Sequence, residues 1–172
     1  MVEERVSIFI DGSNLYHNLK RYNIKVTFEE IIKKFEVIGE ITNIFYYTAL
    51  LDRSFDEKRY LEHKKFLDKI SKIPNFHIIL CNLRKVLMPD GSVNYAIKGD
   101  DVHLATDLIS GSYENLYDVA IIVSGDADFI SAIKVVQKNA KKVVNAFFPK
   151  SSSYLLRNCC NNSINLRRLL QK

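Results

Sequence analysis

Residues 6–16 read Val-Ser-Ile-Phe-Ile-Asp-Gly-Ser-Asn-Leu-Tyr (VSIFIDGSNLY), and the change of character at Asp11 decides how the chain is built. Val6–Ile10 is a short, nearly continuous apolar run, the pattern of a strand covered on both faces. Asp11-Gly12 ends it, and Ser13 or Asn14 is placed to cap a helix running to about Tyr22. The same strand-then-break pattern returns at Asp118–Val123 (DVAIIV). Ser124-Gly125-Asp126 breaks that run, and Phe129, Ile133, Val136 and Ala140 follow at helical spacing.

Around these two blocks, strands and helices alternate. Thr27 and Glu30 form a capping-box pair opening a helix to about Phe35. Ile41–Leu51 is a second strand, Asp56–Ile73 a long helix stopped by Pro74, and His77–Leu83 a third strand. Val86–Ile97 reads as a hairpin folded at Asp90-Gly91. A helix from about Asp101 to Tyr113 carries Leu104, Ala105 and Leu108 inward. Lys142–Phe148 is a further strand ended by Pro149, and the tail holds a helix over Ser153–Cys159 and a short apolar segment near Leu166–Leu170. This alternation predicts one α/β domain over residues 1–172, with a mostly parallel sheet between two helix layers. Leaving the hairpin out, the expected strand order is 3-2-1-4-5.

Composition narrows the function classes. The chain has 172 residues, 47% of them hydrophobic and 26% charged, enough to bury a core without disulfides. No apolar run approaches the roughly 18 residues a membrane-spanning helix needs, so no membrane role is expected. The charged opening Met1–Arg5 leads into an apolar stretch too short for a signal peptide. Cys81, Cys159 and Cys160 have neither CxxC spacing nor a histidine partner, which argues against structural zinc and points to a reducing cytoplasm. A net charge of +5 and a pI near 9.0 favour a polyanionic partner.

The acids that follow strands carry the chemistry. In the expected order, the first and fourth sheet strands are neighbours whose helices leave on opposite faces, so Asp11 and Asp126 look into one crevice, with Asp128 about one turn on. A third acidic group lies in KGDDVHLATDL. Asp100 and Asp107 are seven apart and share a helix face, whereas Asp101 is about 120° from Asp107 on a regular helix. As a first-turn residue Asp101 still reaches the same mouth, so Asp100 and Asp101 compete for one role. Crowded carboxylates repel unless a proton or a cation relieves them, and Mg2+ is the hard ion that takes one or two carboxylates together with water and phosphate oxygens. A second ion about 4 Å away would suit phosphodiester hydrolysis. The plainer alternative for each acid is a helix cap or a solvated position. His17, His63, His77 and His103 lack metal-ligand spacing and read as structural or surface residues. No second acid follows Asp11 as a DxD, and there is no EF-hand loop, GxGxxG or P-loop.

Three blocks, FIDGSNLY (9–16), KGDDVHLATDLI (98–109) and VSGDADF (123–129), together resemble the NYN-domain proteins, a branch of the PIN-like nucleases, and most of all the small LabA-like group. The resemblance implies a Rossmann-like PIN-type α/β/α sandwich, Mg2+ or Mn2+ dependence and cleavage of RNA phosphodiester bonds. It implies that Asp11, Asp101, Asp126 and Asp128 hold metal, that Asp107 is the later acid of the middle block, and that Asn14 positions water or a phosphate oxygen. Asp100 stands where the family prefers an apolar residue, which leaves the ligand of that adjacent pair open. Related PIN-like domains often pair, so the resemblance admits a homodimer, and the sequence does not decide the oligomeric state. Ser13, Lys98, Ser124, Lys150 and Ser151 are the substrate-binding candidates, with Arg53 similarly placed and Tyr16, Tyr46 and Tyr47 as candidate base-stacking residues. The competing readings are a non-catalytic RNA- or protein-binding module on the same fold and a small-molecule nucleotide phosphohydrolase.

Overall fold

The protein is described by a computed structural model over residues 3–54 and 56–171, so the first two residues of the Met1–Arg5 opening lie outside the described residues. The central strand of the first block is β1 (Arg5–Asp11), flanked by β2 (Glu40–Thr48) on one side and β6 (Val119–Val123) on the other. With β3 (Phe76–Leu80), β7 (Lys142–Phe147) and β8 (Asn162–Asn165) they form a six-stranded sheet of order β3-β2-β1-β6-β7-β8, and every pairing is parallel. Strands β4 (Asn82–Leu87) and β5 (Val93–Lys98) make a separate antiparallel hairpin. This is the expected order with one strand added at the edge.

Two apolar layers enclose the sheet, as its continuous hydrophobic strands require. Alternate residues of β6 divide between them. Val119, Ile121 and Val123 join one core, where Leu15 of α1 (Gly12–Arg21), Phe28, Ile31 and Phe35 of α2 (Phe28–Phe35), and Leu67 and Ile70 of α3 (Glu57–Ile70) pack. Ala120 and Ile122 join the other, against Leu104 and Leu108 of α4 (Asp100–Tyr113), Ile133 and Val136 of α5 (Ile130–Lys138), and Leu156 of α6 (Tyr154–Cys159). Helix α1 therefore leaves β1 on one face, and α5 leaves β6 on the other. A crevice opens where the chain direction diverges between them.

Local chemistry accounts for the element boundaries. The Thr27–Glu30 capping box is complete, with both reciprocal hydrogen bonds made. The Asp90-Gly91 turn forms as expected, Asp90 accepting from the Ser92 amide and hydroxyl, but the hairpin begins at Asn82, earlier than Val86, and β3 is correspondingly shorter. The cap of α1 is Asp11 itself, not Ser13 or Asn14: its carboxylate accepts from the Asn14 amide, and the helix opens at Gly12. Gly12 is required by close approach, since a Cβ there would lie 2.6 Å from the Tyr47 carbonyl oxygen and 2.8 Å from the Tyr46 ring. Strand β8, absent from the sequence reading, has a single apolar residue, Ile164. It is held by pairing to β7 and by Asn161, whose side chain accepts from the Val143 amide at 2.8 Å. The apolar segment after it is a short helix, α7 (Leu166–Leu170).

Leu108 is fully buried beneath α4, the helix that delivers the middle acidic block. Leu108→Ala is expected to cost about 2–5 kcal/mol, the range for emptying a buried leucine site, read as a lower urea midpoint at unchanged m-value. A loss below about 1 kcal/mol would mean that α4 is held to the sheet by something other than this contact.

Candidate active site

The crevice is lined by Asp11, Ser13, Asn14, His17, Asn18, Arg21, Asp100, Asp101, Asp126 and Ser151, and has a volume of about 310 Å³. Asp11 ends β1. One carboxylate oxygen accepts from the Asn14 amide at 2.9 Å, and the other accepts from the Ser124 hydroxyl at 2.9 Å. Asp126 follows β6 and caps a short 3-10 turn, Ala127–Phe129, through the Asp128 amide at 2.9 Å. Both strand-end acids are thus helix caps and also members of the cleft. The two roles are compatible, because a carboxylate has about four acceptor sites and each cap bond uses only one.

The middle block arrives through Gly99, which takes a left-handed conformation (φ 88°) between β5 and α4. That glycine lets the chain turn from the hairpin straight into a helix whose first turn carries Asp100 and Asp101. Both line the cleft. Asp107 lies behind it, where its Oδ2 accepts from the Tyr47 hydroxyl at 2.9 Å. Asp128 is exposed beside the cleft, near enough to act electrostatically on Asp101.

Electrostatically, the cleft holds more negative charge than it can neutralise. Among the described residues, none of Asp11, Asp100, Asp101, Asp126 and Asp128 has a Lys, Arg or His partner within salt-bridge distance. Burial raises the Asp11 carboxyl above the usual carboxylate range, opposed by its two hydrogen bonds and reinforced by Asp100 and Asp126. Asp101 is open to solvent on one side and crowded by protein on the other. That desolvation, then repulsion from Asp100, Asp11, Asp126 and Asp128, pushes it up to about 6. The donor set is all oxygen, hard and under-compensated, which fits a hard divalent cation. Among the described residues, no three His, Cys, Asp or Glu side chains stand together as a group that could hold a metal ion. An open site built from few carboxylates and water is the arrangement Mg2+ accepts.

The substrate candidates divide. Ser13 lines the cleft. Ser124 is 1% exposed, and its hydroxyl donates to Asp11 while accepting from the Asp126 amide, so it braces the acids and is closed to a ligand. Ser151 lines the cleft, with its hydroxyl donating to Asn18 at 2.8 Å. Lys98 and Lys150 are exposed and outside the cleft lining, and the Lys150 amide donates to the Tyr22 hydroxyl. Arg53 is engaged by Glu57. Tyr46 and Tyr47 are buried and unable to stack on a base, whereas Tyr16 is exposed.

Sequence reasoning missed several contributors. His17, Asn18 and Arg21 line the cleft from α1, and their spacing from Asn14 was the available signal, because positions 14, 17, 18 and 21 share a helix face. His17 is therefore a cleft residue and not merely a surface one. Asn145 is fully buried in β7 and donates to the carbonyls of Ile122 and Ser124, fixing the end of β6. Nothing in a single sequence distinguishes it from other strand asparagines. Gly125 is a second close approach, since a Cβ there would lie 1.7 Å from the Ser151 carbonyl oxygen.

An acid-lined cleft at the switch point of a parallel α/β/α sheet of PIN type defines a class of nuclease-like folds. The NYN domain model matches residues 5–167, and the chain belongs to the NYN domain family. The family is generally one of PIN-like nucleases, so the chain is of nuclease type at family level, and divalent metals are usual among such enzymes. A crystal structure of a protein of unknown function from Vibrio parahaemolyticus is similar in fold, with a TM-score of 0.69 and 24% identity over 95% of this chain and 93% of that one. No curated protein matches the chain.

The crowding has a thermodynamic signature. The folded-state pKa of Asp101 lies above the unfolded value of about 3.9, so the unfolded chain loses its proton first as pH rises. Stability then falls between about pH 4 and pH 6 and stays lower above that. Metal-free Asp101→Asn is expected to melt higher than wild type at pH 7.5, by about 2–4 °C for each kcal/mol of repulsion relieved. The gain should vanish near pH 4 and shrink when Mg2+ is added. Scanning calorimetry of both proteins with and without chelator checks this; a lower melting point for the variant at pH 7.5 would contradict it.

Proposed function

We propose that this protein is a Mg2+- or Mn2+-dependent ribonuclease that hydrolyses RNA phosphodiester bonds. One observation carries the reading: four carboxylates without cationic partners, Asp11, Asp100, Asp101 and Asp126, meet in one cleft of a NYN-family fold. Beyond the caps that Asp11 and Asp126 form, the cluster without a cation carries mutual repulsion, which a bound cation relieves.

Asp11, Asp126 and Asp101 would hold the metal, with Asp100 as the alternative to its neighbour and Asp128 serving a second ion or its waters. Bound there, the metal supplies charge stabilisation at phosphorus and a water of lowered pKa. The chain's own residues do the rest. Ser124 holds the Asp11 carboxylate from below. Asp107, held by Tyr47, steadies α4 behind the acids. Asn14, facing the cleft with its backbone N–H donating to Asp11, orients water or a phosphate oxygen through its side chain as a neutral donor. Ser13 lines the entry, and Lys98 and Lys150, exposed and free of ion pairs among the described residues, supply charge for the flanking backbone of a single-stranded or structured RNA. Three free cysteines accord with action in a reducing cytoplasm.

Asp11→Asn and Asp126→Asn should each abolish Mn2+-dependent RNA cleavage while leaving the circular dichroism spectrum unchanged. The loss should exceed the roughly 10–100-fold that removing an outer-shell partner of a metal ligand costs. Chelation should stop the wild-type enzyme, and added Mg2+ or Mn2+ should restore it. Cleavage at the wild-type rate by both variants would remove the assignment, and turnover of mononucleotides in preference to RNA would move it to nucleotide phosphohydrolysis.

A further inference from the structure

The cleft has a second wall, of which this reaction scheme uses only Asn14. Asn14, His17, Asn18 and Arg21 succeed one another at intervals of three and four along α1, and all four line the cleft. Asn14 stands nearest the acids. Asn18 is 2% exposed and fully engaged: its amide donates to Asn14, and its carbonyl oxygen accepts from Ser151. It is a strut that locks α1 to the turn after β7. The groups left to meet a ligand are His17 and Arg21, both exposed.

Arg21 combines three features. It is the one arginine or lysine among the cleft-lining residues. It has no ion-pair partner among the described residues, although the cleft is lined with acids. It also stands on a fixed base, because the next residue, Tyr22, stacks on Phe148 at 5.7 Å, accepts from the Lys150 amide and lies under the Arg167 guanidinium. A cation in the last turn of a helix is favoured by the helix dipole alone. That accounts equally for Lys20, which is exposed but does not line the cleft. The dipole therefore leaves the facing of Arg21 unexplained. A rise of 1.5 Å per residue separates Arg21 from Asn14 by about 10 Å along the axis, a step further along a strand than a phosphate bound at a cation on the carboxylates would lie.

We propose that Arg21, with His17 beside it, binds a phosphate flanking the scissile one, so that the cleft selects a nucleic-acid strand over a mononucleotide. The inference rests on the nuclease reading for its substrate and adds a specificity residue to it. A guanidinium suits the task because its planar fork of donors matches two phosphate oxygens at once.

The test uses the full chain with Mn2+ and a short single-stranded RNA whose cleavage position has been mapped. It compares wild type, Arg21→Ala, Arg21→Lys and Lys20→Ala. Arg21→Ala should raise KM by about tenfold or more, the loss expected for one charge-assisted hydrogen-bonded contact, with a smaller fall in kcat. In fluorescence anisotropy, the slope of log affinity against log salt should drop by about 0.7, one phosphate contact on a single strand. Arg21→Lys should restore the slope but only part of the affinity, and Lys20→Ala should match wild type. A single uncharged methylphosphonate, moved along the RNA, should weaken wild-type binding at one flanking position where it has no further effect on Arg21→Ala. The proposal is overturned if Arg21→Ala keeps the wild-type KM and salt slope, if Lys20→Ala loses as much, or if no neutralised phosphate is masked by the variant. Should wild type bind RNA without cutting it, the nuclease reading fails, while the salt slope and the phosphate scan still decide on Arg21.

Discussion

The hydrogen bond from the Ser124 hydroxyl to the Asp11 carboxylate spans 113 positions of sequence in 2.9 Å, and the rest of the site depends on the constraint it embodies. It joins the carboxyl ends of β1 and β6, neighbouring strands whose following helices leave on opposite faces of the sheet. The same hydroxyl accepts from the Asp126 amide, so a single buried side chain sets the spacing of two acids that repel each other. Repulsion of this kind persists only where the frame is too stiff to yield. Here the frame is the interior of a parallel sheet: Val119–Val123 is buried throughout, and Asn145 pins the Ser124 carbonyl from β7. The apolar core is what lets an electrostatically unfavourable cluster exist before any cation arrives.

Much of this was legible in the amino-acid sequence because it follows from short-range rules. Val6–Ile10 is a nearly continuous apolar run and Val119–Val123 a continuous one, and such runs in alternation with helices mean a covered parallel sheet. The Thr27–Glu30 box and the Asp90-Gly91 turn likewise declare themselves within a few residues. What stayed hidden depends on contacts between distant segments. Strand β8 has the sequence Asn-Ser-Ile-Asn, with no alternation to mark it, and exists because β7 offers an edge and Asn161 fastens onto it. Tyr47 looked like a strand aromatic, and its hydroxyl proves to hold Asp107, sixty positions away. Ser124, a substrate-binding candidate by sequence, lies two residues before Asp126. Only burial distinguishes a serine that binds substrate from one that holds a carboxylate in place.

A helix cap was the plainer alternative to a site role for Asp11 and Asp126; both are caps, and both carboxylates also line the cleft. This double use has a physical basis. A cap bond draws one lone pair toward a helix amide and fixes the rotamer of the carboxylate, leaving the remaining lone pairs aimed outward. A side chain held in that way loses little further freedom when a cation binds, so more of the interaction energy is retained as affinity. Strand-end aspartates that cap the next helix are therefore pre-organised oxygen donors.

The two walls of the cleft then take on different duties. The carboxylates on the β1, β6 and α4 side are close, like-charged and braced by buried hydrogen bonds, an arrangement that gains most from a compact, multiply charged ion. The α1 side is a ladder of neutral and basic groups at helical spacing, rigid through Asn18 and Tyr22 and open at His17 and Arg21. On the proposed reading, a polyanionic strand would satisfy both walls together, since one phosphate would complete a cation on the acidic side while its neighbour met the guanidinium on the other. A mononucleotide leaves the second wall unmet, and a protein ligand has no repeating anion to match the spacing. The charge asymmetry across one cleft thus argues for a chain of phosphates more strongly than the net charge of the whole molecule does.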